Sequence, residues 1–324
     1  MVMTNGQVGD FFILGWDGME VTPSLTRLVE RYGLGGVILF DRNIDSPAQI
    51  KKLTQQIRQL PSKHPLLIST DQEGGQFQRM KPPRFGTLPP ACDVRLDDAL
   101  EVGRKLGREL SELGLNLDMA PVLDVHTNPQ NPIIGVRSFH SDPATVVAVG
   151  QKVIQGMHEH EVWACEKHFP GHGDTSEDSH LTLPVVNHPL ERLQEIEIRP
   201  FRELFAHELQ FVMSAHVVYP ALDPEKRPAT FSPPILQKLL RDDLGFEGLV
   251  VTDDLGMAGS LSRGDIVDAV LEAFAAGCDL LLVCEHLDRH EEVIAKLGEA
   301  ITQSTALQER AKASRARLAS LNLN

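Results

Sequence analysis

The 324-residue chain predicts an α/β fold, a single (β/α)8 barrel, and three observations predict it. Short runs rich in Val, Ile and Leu alternate with longer amphipathic stretches from end to end. The runs are near-continuous in apolar residues, as suits parallel strands buried on both faces. Several helical stretches end in glycine just before the next run, where a left-handed residue can stop a helix. Eight strands, each followed by helical sequence, fit one closed barrel.

In chain order, Phe11–Trp16 is the first strand and Gly33 closes the stretch after it. Gly36–Phe40 is the second, followed by a helical pattern over Gln49–Leu60. Leu66–Thr70 is the third, and the helix over Leu96–Leu113 stops at Gly114. Leu115–Ala120 and Val162–Lys167 flank a helix over Thr145–His160. Helices over Leu190–His207 and Pro234–Leu244 surround the sixth strand, Phe211–Val218. After Leu249–Thr252, the helix Asp265–Ala276 shows Ile266, Val267, Val270 and Phe274 on one stripe, and Asp279–Cys284 is the last strand. A doubly wound sheet would share this alternation but usually has a glycine-rich phosphate turn after its first strand. Gly15-Trp16-Asp17-Gly18 is a poor match to that turn. No linker or composition shift divides the chain, so residues 1–324 are expected to be one catalytic domain.

The net charge of −14 argues against a nucleic-acid partner, which needs a cationic face. Cys92, Cys165, Cys278 and Cys284 form no CxxC pair, and a core this large needs no disulfide staples. No apolar window reaches the ~18 residues of a membrane span. Met1–Gly9 has no basic segment followed by an apolar one, so a cytoplasmic location is expected. The pattern specifies no oligomeric state.

Barrel enzymes work at the C-terminal ends of their strands. Those ends here read Asp41 and Arg42, Asp71, Asp118 and Asp124, Lys167 and His168, His216, Asp253 and Asp254, and Glu285. So many ionisable residues at one mouth favour a catalytic face. The segment from Lys167 to Leu190 is long for a βα loop, which points to an active-site loop. Within it, Asp178 and His180 are two apart and share a face in extended chain. A carboxylate beside an imidazole supports its cationic form, the outfit of a general acid/base. His168, His172, Asp174 and His180 could in principle ligate zinc, but their spacing matches no standard motif and the Lys167 ammonium opposes a cation. No metal and no cofactor are expected. The strand end Thr252-Asp253-Asp254 delivers a carboxylate opposite the histidine, which suits displacement at an anomeric carbon. Adjacent strand residues face opposite sides, so only one of the two aspartates can serve, and periodicity does not choose between them.

Four motifs in order support a resemblance that covers almost the whole chain. They are Asp71-Gln72-Glu73-Gly74-Gly75, Ala120-Pro121-Val122-Leu123-Asp124-Val125, the Lys167–His180 loop, and Thr252-Asp253-Asp254-Leu255-Gly256-Met257. In these the chain resembles glycoside hydrolase family 3, in particular its bacterial β-N-acetylglucosaminidases of peptidoglycan recycling. The resemblance implies a retaining enzyme that removes terminal N-acetylglucosamine from muropeptides, with Asp253 as nucleophile and His180, partnered by Asp178, as acid/base. It implies sugar-binding roles for Asp71, Arg79, Arg137, Lys167 and His168. A β-glucosidase or β-xylosidase of the same family, or an N-acetylglucosaminide phosphorylase, is the alternative. The chain departs from the family pattern at Gln76-Phe77-Gln78, where no arginine directly follows the glycines, and at Gly256, which replaces a polar residue.

Overall fold

The computed structural model describes residues 5–179, 181–205, 210–261 and 264–321. Each of the eight apolar runs becomes a parallel strand. We number them β1 (Phe12–Leu14), β2 (Gly36–Leu39), β3 (Leu67–Thr70), β4 (Leu117–Asp118), β5 (Trp163–Phe169), β6 (Phe211–Ser214), β7 (Leu249–Thr252) and β8 (Leu281–Val283). The sheet order is β8-β1-β2-β3-β4-β5-β6-β7, so consecutive strands are neighbours throughout. A parallel bridge from Val251 to Leu280, with the Thr252 N–H donating to the Leu280 carbonyl at 3.0 Å, joins the last edge to the first. The expected barrel is present.

The alternation of side chains splits the core in two. Ile38, Leu67, Phe211 and Leu249 point into the barrel and pack with Met119, Cys165 and Val251. Their strand neighbours Val37, Ile68, Val212 and Val250 point outward against the helices. Both faces of most strands are therefore apolar, which explains the continuous runs in the sequence. The last helix, Thr305–Ser320, ends with Leu318 and then Leu321 packed on the inner cluster, sealing the barrel floor.

The helices mostly follow their patterns, with shifted ends. Pro143–His158 begins at Asp142, whose carboxylate accepts the Thr145 N–H at 2.9 Å. Gly114 ends Ala99–Leu113 with φ 84° and ψ 20°, a conformation that costs other residues more. Two expectations need correction. The helix expected over Leu190–His207 is two helices, Leu190–Glu195 and Arg199–Leu204. Pro200 has no N–H to offer the Ile196 carbonyl but fits a first turn, so the helix restarts there. His207 lies outside the described residues. Pro234–Asp243 is helical as expected but wound wider, its Leu244 N–H reaching the Leu239 carbonyl. Among the described residues no helix is long and apolar enough to cross a membrane.

Candidate active site

A cavity of about 600 Å³ opens at the C-terminal ends of the strands. Its lining includes Asp71, Glu73, Arg79, Arg137, Lys167, His168, Asp253 and Asp254. All five residues expected to bind sugar are thus brought together. Lys167 leaves β5 buried at 2 % exposure, and its ammonium stands 2.9 Å from Asp71 and 2.7 Å from Glu73. Arg137, in the turn Gly135–Arg137, meets Glu73 with two parallel bonds, Nε to Oε2 at 2.7 Å and Nη2 to Oε1 at 2.8 Å. Its guanidinium also lies over the Phe77 ring, 4.8 Å from the centroid. Arg79 completes the set at 3.4 Å from the other oxygen of Asp71.

This cluster is electrically coherent. Burial alone would push the Glu73 carboxyl up, but Arg137 and Lys167 outweigh it and hold it well below the usual carboxylate range. Burial likewise opposes the charges of Lys167 and Arg137, and the carboxylates of Glu73 and Asp71 overcome it and keep both cationic. Asp118, beneath them, differs: burial raises its pKa to about 8, so it is mostly protonated at neutral pH. Its one bonded oxygen accepts the Gln72 N–H at 2.8 Å.

On the next side of the cavity, Asp124 organises two histidines. Its Oδ2 lies 2.6 Å from His168 Nδ1, and its Oδ1 accepts the backbone N–H groups of His168 at 3.2 Å and His172 at 2.6 Å. The contact at Nδ1 sets the ring so that His168 meets the cavity with its other edge. Burial opposes ionisation of Asp124, but the His168 charge and these bonds hold its pKa down. His168 lies inside β5 rather than after it, because the strand runs on to Phe169. Of the residues weighed as zinc ligands, the described ones are engaged otherwise. His172 shares its two ring nitrogens between Thr175 and Ser179, each at 3.0 Å, and Asp174 pairs with His188. Among the described residues no three such side chains are grouped to hold a metal.

Asp253 and Asp254 follow β7, and the structure separates them. Asp254 is bound into the backbone: its Oδ1 accepts the N–H groups of Gly256 at 3.1 Å and Cys284 at 2.9 Å. Its own carbonyl faces His216 Nε2 at 3.1 Å. Burial, helped by the Asp253 charge, raises its pKa despite those bonds. Asp253 has an oxygen 2.8 Å from the Asp254 N–H and lines the same cavity as the cationic cluster. Asp178 is described, in the loop after β5, whereas His180 lies outside the described residues.

Residues 12–321 match the model of the glycosyl hydrolase family 3 N-terminal domain. The chain belongs to glycoside hydrolase family 3. A β-hexosaminidase of Thiobacillus denitrificans is 43% identical over 290 residues, spanning 86% of this chain and 79% of that one. β-Hexosaminidase A of Pseudoalteromonas piscicida is 38% identical over 330 residues, covering 92% of this chain but only 55% of the relative. Among solved structures, a family 3 β-N-acetylglucosaminidase from Paenibacillus sp. superposes with a TM-score of 0.93 at 38% identity, over 99% of this chain and 62% of that one. The chain therefore spans a little over half the length of two of these family 3 relatives.

Two residues of the site had no role in the sequence reading. Glu73 sits two positions after Asp71, the same-face spacing applied to Asp178 and His180, so the signal was available. Asp124 was visible as a strand-end acid, but its histidine partners lie 44 and 48 residues away. Only the fold brings them together.

Proposed function

We propose that this family 3 chain is a retaining β-N-acetylhexosaminidase that removes terminal N-acetylglucosamine from peptidoglycan-derived muropeptides in the cytoplasm, and that residues 1–324 suffice for it. The supporting observation is that Asp253 lines one cavity together with a set of polar groups, Asp71, Arg79, Arg137, Lys167 and His168. A polyhydroxylated ring needs such charged donors and acceptors held rigid in advance. The names of the relatives supply the choice of sugar.

In this reading Asp253 attacks the anomeric carbon while His180, its charge supported by Asp178, protonates the departing oxygen. His180 then takes a proton from water, which releases the sugar from Asp253 with net retention. Asp254 cannot replace Asp253 without giving up its backbone bonds to Gly256 and Cys284. Proton NMR of a fresh digest of a β-linked N-acetylglucosaminide tests the scheme. The β-anomer should appear first and mutarotate later. Initial release of the α-anomer, or turnover of β-glucosides as good as that of N-acetylglucosaminides, would overturn the proposal.

A further inference from the structure

The loop after β5 and the loop after β7 meet at Ser179. This residue is 2 % exposed and lies between Asp178 and His180 in the chain. Its hydroxyl is 3.0 Å from His172 Nε2, and its carbonyl accepts the Gly259 N–H at 3.2 Å. Gly259 belongs to the short helix Ala258–Leu261 that follows Asp253. A Cβ on Gly259 would stand 2.8 Å from the Ser179 carbonyl oxygen and 3.0 Å from that of Thr182. Any side chain there would push the two loops apart.

His172 is anchored in turn. Its N–H donates to Asp124, the carboxylate that also holds His168, and the two imidazoles pack edge to face at 5.6 Å. Burial and the neighbouring His168 charge press its pKa down to about 4, so the ring is neutral at neutral pH. A neutral ring facing two hydroxyls is a fixture rather than a proton carrier. Leu181, two residues after Ser179, is 75 % exposed.

We propose that His172 and Gly259 are positioning residues that grip Ser179 from two sides and hold the chain bearing Asp178 and His180 in register with the sugar cradle and with Asp253. The inference rests on the catalytic roles proposed above. One neutral hydrogen bond shifts an equilibrium only about 5-fold, but a misplacement of 1 Å at a reacting group can cost about 10²-fold.

Ser179→Ala deletes the hydroxyl without adding bulk, and Gly259→Ala inserts a methyl against the Ser179 carbonyl. Both are made in the full chain and checked by circular dichroism. Turnover of an unactivated β-linked N-acetylglucosamine disaccharide, whose alkoxide needs a proton, is compared with glycosylation from a nitrophenyl N-acetylglucosaminide, which needs little help. For each variant the disaccharide kcat should fall roughly 5- to 100-fold and nitrophenyl glycosylation less than about 3-fold. Inhibition by free N-acetylglucosamine should not change, because the cradle is untouched. His180→Ala is run alongside. If it shows no leaving-group dependence, the catalytic reading fails and the latch with it. If His180→Ala discriminates but Ser179→Ala does not, or Ser179→Ala weakens sugar binding instead, the latch alone is wrong. Should Gly259→Ala not fold, Ser179→Ala still decides.

Discussion

At the floor of the barrel, Asp279 is buried and receives Arg241 at 2.6 Å, Arg310 at 2.8 Å and Arg317 at 3.2 Å, along with the Ser314 hydroxyl and the Val250 N–H. At the mouth, Glu73 is buried and receives Arg137 and Lys167. In both places burial opposes the carboxylate and neighbouring cations overcome it. The partners differ in where they lead. Those of Asp279 come from β7, the helix before it and the C-terminal helix, so the cluster fastens elements together. Those of Glu73 line an open cavity. The same ionic chemistry thus fastens elements at one end of the barrel and lines a cavity at the other, the end where barrel enzymes carry their sites.

This contrast can be broken by mutation. The largest expected effect is at the floor, where Asp279→Ala strands three guanidinium groups. It should cost about 3–5 kcal/mol in urea unfolding, while the protein that remains folded keeps its kcat/KM. A variant as stable as the parent, or one folded but inactive, would show that the floor is not a purely structural anchor. At the mouth, Glu73→Gln keeps the shape but leaves Arg137 and Lys167 unbalanced. We expect kcat/KM to fall roughly 10²-fold, about 2.7 kcal/mol, with a smaller stability loss than at the floor, because Lys167 keeps Asp71 as a partner. Equal stability losses at the two sites would erase the distinction.

The smallest effect is a pH dependence. Glu73 and Asp279 have lowered pKa values, so their stabilisation is present above the unfolded value near 4 and is lost as the pH falls through the lower folded one. Asp118 has the opposite sign. With its pKa raised to about 8, the folded state holds a proton that the unfolded state has released, so stability falls as pH rises from about 4 to 8. Asp118→Asn keeps an acceptor for the Gln72 N–H and removes the titration. Between pH 6 and 7 the variant should gain up to about 1.4 kcal/mol on the parent in urea titrations. A difference independent of pH would mean that Asp118 is ionised in the fold.

Much of this was legible because barrel strands are apolar on both faces and their ends are not. All eight strands were readable from that rule, and so were Asp71, Lys167, His168 and Asp253 as strand-end groups. Arg79 and Arg137 lie in loops, and the family resemblance identified them. Periodicity left Asp253 and Asp254 open and the resemblance favoured Asp253; the two backbone N–H groups that hold Asp254, one of them from Cys284 just after β8, are not visible in the sequence. The break before Pro200 was written in the sequence and was overridden by the apolar pattern of the stretch. The arginines of the floor are distant from Asp279 along the chain, and nothing local connects them to it.

The most direct test of the central claim is to trap the glycosyl-enzyme. A slow fluorinated N-acetylglucosaminide is incubated with the protein, and the peptide containing Asp253 and Asp254 is fragmented in a mass spectrometer. The account predicts one sugar per chain, attached to Asp253, and none on an Asp253→Asn variant. A label on Asp254, or full inactivation without any covalent sugar, would contradict it.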